Sequence, residues 1–311
     1  MVTFEHIQQA ATRIEAYIHR TPVMTSTALN ERAGCELYFK CENFQKVGAF
    51  KARGAHNAVL RLTQAQREAG VATHSSGNHA AALALAASRT DAPAYIVMPE
   101  NAPSNKIEAV RGYGAQITFC EPTFEARESG LAAVVERTGA TFIAPYDNPD
   151  VIAGQGTAVA EMAGQLASSA DCLVVPVGGG GLLAGSALSA RSLWPDCRVI
   201  GAEPAGADDA RRSFESGVRQ PQPAPDTIAD GLRSSLGELN FRLIMEHVDD
   251  IFSVADAEIL AAMKLVWSRM KIVIEPSAAV ALAVVLSRPS EFKGKRVAIV
   301  LSGGNVDFPL A

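Results

Sequence analysis

CLVVPVGGGGLLAGSALSARSLW (172–194) reads as three consecutive pieces. The run CLVVPV is apolar at successive positions, as a parallel strand covered on both faces must be. The glycines Gly178, Gly179, Gly180 and Gly181 follow, and the remainder reads as a helix. Such a run lets the backbone approach a ligand and aims several N–H groups at it, while the helix N-terminus adds positive potential. A single phosphate monoester fits this arrangement best. The segment has neither the Lys-Ser/Thr pair of a P-loop nor the GxGxxG spacing of a dinucleotide fold, so a nucleoside triphosphate or NAD fits less well. One glycine would be explained by a tight strand–helix crossing; four in a row favour the ligand.

The same alternation extends in both directions. GVATHS, AYIVMP, QITFCE and TFIAP precede this segment as short apolar runs, each followed by an amphipathic stretch, and RVIGAEP and RVAIVLSG follow it. Strands alternating with helices predict an α/β protein, with parallel-rich sheets covered by helices on both faces. PYDNP (145–149) and QPQPAPDT (220–227) interrupt the pattern as turn or irregular segments, since proline lacks the N–H that regular structure uses.

Composition narrows the function. The chain has 311 residues, 48% of them hydrophobic and 6% aromatic, and a formal net charge of −5. No basic stripe is present, so nucleic acid is not an expected partner. No stretch approaches the roughly 18 apolar residues of a membrane span, and the N-terminus lacks the apolar core of a signal peptide. The five cysteines are scattered without a CxxC pair. They read as buried free thiols of a cytoplasmic protein.

Three further segments carry polar chemistry on an apolar background. In ENFQKVGAFKARGA, Lys51 lies among Gly48, Ala49, Phe50, Ala52 and Gly54 where a helix starts. Apolar surroundings lower the pKa of an amine, as Schiff-base chemistry requires. THSSGNHAAA places Ser75, Ser76, Gly77, Asn78 and His79 between a strand end and a helix, a natural carboxylate site as well as a natural capping turn. LSGGN puts Ser302 after the last strand, where ligands sit in open α/β sheets.

Taken in order, FQKVGAFKARGA, SSGNHA, VIAGQGT, VGGGGLLAG, GAEPAGADD, TIADGL, IEPSAA and LSGGNVD resemble the pyridoxal-phosphate (PLP) dependent threonine/serine dehydratase and serine racemase family, of fold type II. The resemblance implies a two-domain protein with PLP in the cleft: residues 1–69 and 148–311 as the large domain, and 70–147 as a small inserted one. Lys51 would bond to PLP, with Gly178, Gly179, Gly180, Gly181 and Leu182 around the phosphate. Asn78 would meet the ring hydroxyl, Ser302 the ring nitrogen and Phe50 the ring face, and Gly231 would line the pocket. Ser75, Gly77, Asn78 and His79 would hold the substrate carboxylate, with Ser76 also at the substrate, on the face opposite Lys51, and Tyr146 near the substrate side chain. Glu203, Asp209 and the Ala207 carbonyl would bind Mg²⁺, Ca²⁺ or Mn²⁺.

The implied activity is dehydration and deamination of a small 3-hydroxy amino acid, by a homodimer. Ser76 resembles the second base of the racemases, so racemisation of serine or aspartate is the alternative. Ala49, where Ser is common, and Tyr146, where racemases resemble Asn, depart from the racemase pattern. A β-replacement enzyme and a non-catalytic ligand-binding protein fit the motifs less well. The sequence ends with LSGGNVDFPLA (301–311), and no feedback through a C-terminal regulatory domain is expected.

Overall fold

The computed structural model describes residues 1–75 and 77–307. Its strands are β1 (Val23–Met24), β2 (Glu36–Cys41), β3 (Val71–His74), β4 (Ala94–Pro99), β5 (Gln116–Cys120), β6 (Thr141–Phe142), β7 (Cys172–Pro176), β8 (Arg198–Pro204), β9 (Asp250–Val254) and β10 (Arg296–Leu301). They form two sheets, ordered β1-β2-β10-β7-β8-β9 and β5-β4-β3-β6. Every pairing is parallel except β1 with β2. Parallel neighbours need crossovers, and the helices between strands supply them.

The six-stranded sheet is buried on both faces, which explains the continuous apolar reading of β7. Val174, with Phe39, Ile200 and Ile299, faces a core built with the helices Asp256–Met270 and Pro276–Ser287. Leu173 and Val175, with Val199 and Val300, face the opposite core with the helices Phe4–Ile14, Pro149–Ala163 and Gly181–Leu193. Each fully buried Val or Leu is worth roughly 1.5–3 kcal/mol, so one β7 strand anchors both layers.

The four-stranded sheet falls within residues 70–147, but its main core extends beyond them. Val71, Ile96 and Met98 pack with Ala55, Ala58 and Val59 of the helix Lys51–Leu60 and with the helix Asn78–Ser88. The lysine helix therefore lies between the small sheet and the large unit. TFIAP yields only the two-residue β6, whereas β2 and β9 appear in segments that do not read as strands. β2 ends Phe-Lys-Cys with Lys40 fully buried, a placement its charge disguises.

Candidate active site

The glycine run leaves β7 and opens the helix Gly181–Leu193, so its backbone lies at the carboxyl end of a central strand. Gly180 has φ of +92°, a left-handed conformation that strains any residue with a side chain. At Gly179 a Cβ would stand 2.2 Å from the Tyr146 ring. Glycine is required here twice over, for backbone N–H access and because Tyr146 already fills the adjacent space. Leu182 follows, buried in the first turn of the helix, whose leading N–H groups have no internal acceptor.

Lys51 begins its helix beside this cradle. Its Nζ donates to the Pro145 carbonyl at 2.6 Å and lies 5.2 Å from the Phe50 ring centroid. Burial lowers its pKa to about 8, against the opposing pull of Glu275. Two backbone hydrogen bonds, which together make the Ala49–Gly303 bridge, fix the lysine loop to the end of β10. The Phe50 N–H donates to Ser302 O at 3.0 Å and the Gly304 N–H to Gly48 O at 2.9 Å. These ties bring Ser302, itself buried, to the base of the lysine.

The expected carboxylate loop arrives from the small sheet. Ser75 donates its N–H to Val97 O, and its Oγ accepts the Gly77 N–H at 3.3 Å. Among the described residues, the leading N–H groups of the helix, at Asn78 and His79, are donors of the kind that can receive an anion. The His79 side chain turns away from this role. Its Nε2 meets Ile143 O at 3.1 Å, while burial and the nearby Lys51 charge push its pKa down to about 3, so the imidazole is neutral. Ser76 lies outside the described residues.

Asn78, expected at a ring hydroxyl, donates its amide nitrogen to both Glu275 oxygens, at 3.0 and 3.2 Å, and its carbonyl accepts from Asn305 Nδ2 at 2.9 Å. The carbonyl oxygen retains a second lone pair that can accept from a hydroxyl. Glu275 also accepts the Asn305 N–H at 3.1 Å, and Gly231, whose N–H donates to Ser277 Oγ, lies beside it. Lys106 of the small unit pairs with Asp230 of the same turn. Asp230, Glu275 and Asn305 lie within the motifs TIADGL, IEPSAA and LSGGNVD but were given no role of their own, and Lys106 was not singled out, because a charged or amide side chain does not announce its distant partner.

The expected cation site lies apart, at the end of β8. Glu203 is fully buried, and its oxygens accept the Ala210 and Arg211 N–H groups at 2.9 and 2.8 Å. Asp209 Oδ2 accepts the Leu236 N–H, whereas Asp209 Oδ1 is buried without a partner. Asp208 is engaged instead by Arg211 and Arg212. No cluster of three His, Cys, Asp or Glu ligands occurs among the described residues, so a cation here would need the buried Ala207 backbone as well as the two carboxylates.

A phosphate cradle at a strand end, a buried amine of lowered pKa beside it and a free helix N-terminus across the cleft define an enzyme that holds a phosphorylated carbonyl cofactor. A family model described as pyridoxal-phosphate dependent enzyme matches residues 14–303, and the chain belongs to that family. It is 50% identical over 305 residues to the beta-hydroxyaspartate dehydratase of Paracoccus denitrificans, covering 98% of this chain and 96% of that protein. It is 49% identical over 309 residues to the L-threo-3-hydroxyaspartate ammonia-lyase of Saccharomyces cerevisiae, covering 98% and 94%. The crystal structure of serine racemase from Dictyostelium discoideum superposes with a TM-score of 0.94 at 50% identity, covering 99% of each chain.

Proposed function

We propose that this chain is an ammonia-lyase that dehydrates and deaminates a small 3-hydroxy amino acid, 3-hydroxyaspartate foremost, to a 2-oxo acid and ammonia. The observation that carries the reading is the Lys51 amine, whose pKa is lowered to about 8 beside the glycine cradle. Gly178, Gly179, Gly180, Gly181 and Leu182 would hold the phosphate of PLP, which when bound would supply a ring able to delocalise charge from the substrate α-carbon. The N–H groups of Asn78 and His79 orient the substrate carboxylate. Lys51, appreciably unprotonated near neutral pH, takes the α-proton. The proton that Lys51 has taken up can pass to the departing β-hydroxyl, which leaves as water, and uptake of one water by the released enamine, after it tautomerises to the imine, gives the 2-oxo acid and ammonia. The two hydroxyaspartate-acting relatives support the choice of 3-hydroxyaspartate as substrate.

The resemblance of Ser76 to the second acid/base group of the racemases supports a second reading, racemisation of serine or aspartate. A divalent cation at Glu203, Asp209 and Ala207 is also proposed, on the unpaired Asp209 oxygen. Among the described residues no helix is long and apolar enough to cross a membrane. Four free, buried cysteines support a reducing, cytoplasmic location, and the family resemblance supports a homodimer.

The test is release of ammonia and 2-oxo acid from L- and D-3-hydroxyaspartate, serine, threonine and 3-phenylserine, with chiral analysis of recovered substrate. A Lys51→Ala exchange should cut turnover at least ~10³-fold. Inverted amino acid without 2-oxo acid would replace the lyase by the racemase.

A further inference from the structure

The chain returns from the small unit to the large one through Pro145, Tyr146 and Asp147, and each is held by a different partner. Pro145 receives the Lys51 amine at 2.6 Å. The Tyr146 ring covers Gly179. The Asp147 carboxylate accepts the N–H groups of Glu238, Leu239 and Asn240 at 3.0, 3.0 and 3.2 Å, capping the helix Glu238–His247.

Asn240 joins these contacts to the cradle. Fully buried, its Nδ2 donates to Gly179 O at 2.7 Å and to Tyr146 O at 3.2 Å. The Gly237 N–H gives Gly179 O a second donor at 3.1 Å. Both oxygens facing the amide are backbone acceptors, so only its nitrogen end can point at them. The other end, Oδ1, is buried without a partner. Burying an amide with half its polar capacity unmet opposes folding, and the two bonds to Gly179 and Tyr146 offset that cost. The arrangement makes sense if the bonds to Gly179 and Tyr146 serve the site.

We propose that Asn240 is a positioning residue that locks the phosphate cradle to the segment receiving the Lys51 amine. The proposal rests on the PLP reading above. A cofactor held by its phosphate at one end and by Lys51 at the other needs a fixed span between the two anchors. Asn240 supplies it, because Gly179 belongs to one anchor and Tyr146 adjoins the carbonyl of the other.

The test compares wild-type, Asn240→Ala, Asn240→Ser and Ile244→Ala holoenzymes. Ile244 is fully buried on the same helix and contacts the Gly180 position, but offers no hydrogen bond. The readouts are PLP release on dilution, followed by visible absorbance, the induced circular dichroism of bound PLP, and thermal unfolding. Asn240→Ala should hold PLP ~10-fold more weakly, the equivalent of about two lost hydrogen bonds, with altered dichroism. Asn240→Ser, retaining one donor, should fall between it and wild type. Ile244→Ala should unfold at lower temperature yet keep wild-type PLP retention and dichroism. Wild-type retention and dichroism in both Asn240 variants would overturn the coupling, as would equal losses in Ile244→Ala. A wild type that takes up no PLP would overturn the functional reading itself.

Discussion

Glu275 is a carboxylate fully withdrawn from water, yet it accepts two bonds from Asn78 and one from the Asn305 backbone. Burial raises its pKa to about 7, with Asp230 pushing the same way and Asn78, Lys106 and the Asn305 N–H opposing. A carboxyl whose folded pKa lies above its unfolded value binds a proton more tightly when folded. Its contribution to stability therefore declines as pH rises from about 4.5 to 7 and is flat above that. Replacement by Gln keeps the shape and removes the titration. The difference in unfolding free energy between wild type and Glu275→Gln should then change by on the order of 3 kcal/mol between pH 4.5 and 8, in favour of Gln at the alkaline end. Urea unfolding of both proteins across that range measures it. A difference independent of pH would mean that Glu275 does not titrate in the folded protein.

Among elements, the strand–glycine–helix unit was the most legible, because its apolar run, glycines and helix lie within one short stretch. Its second reason for glycine was not legible, since Tyr146 lies far away in sequence and only the fold brings it to Gly179. The same holds for Asn78 and Glu275, whose residue types announce nothing until two units meet. β2 was missed because Lys40 and Glu42 look solvent-facing until their buried partners are known. Gly179→Ala tests this element directly: a Cβ 2.2 Å from a ring must displace Tyr146. We expect destabilisation of roughly 1–3 kcal/mol by overpacking and at least ~10-fold weaker PLP retention, the loss of one or two cradle bonds; unchanged retention would place the phosphate elsewhere. The helix Asp209–Ser216 bears the cation prediction. Mg²⁺, Ca²⁺ or Mn²⁺ added to chelator-treated protein should raise its unfolding temperature by about 5 °C at saturation. Asp209→Asn should abolish that response, and no response to any of the three ions would remove the site.

At the scale of the molecule, a buried charge cluster joins the lysine helix to the large unit. Arg53, two residues after Lys51 and fully buried, donates to both Glu42 oxygens at 2.8 Å and reaches Glu161 at 3.2 and 3.3 Å. Lys40 of β2 donates to the same Glu161 at 2.5 Å, so two cations meet two carboxylates. Burial works against the Glu42 carboxylate, but the charge and hydrogen bonds of Arg53, with the charge of Lys40, hold its pKa below the usual range. That contribution is present above the unfolded carboxyl pKa and is lost as pH falls through the lower folded value. Arg53→Met leaves Glu42 and Glu161 facing Lys40 alone, and a buried charge deprived of its partner should cost about 3–5 kcal/mol. Arg53→Met combined with Glu42→Leu restores neutrality around the surviving Lys40–Glu161 pair and should recover most of that loss. A double-mutant cycle by urea unfolding measures the coupling. A cost under about 1 kcal/mol for the single exchange, or a double variant less stable than the single, would show that packing rather than charge balance holds the lysine helix in place.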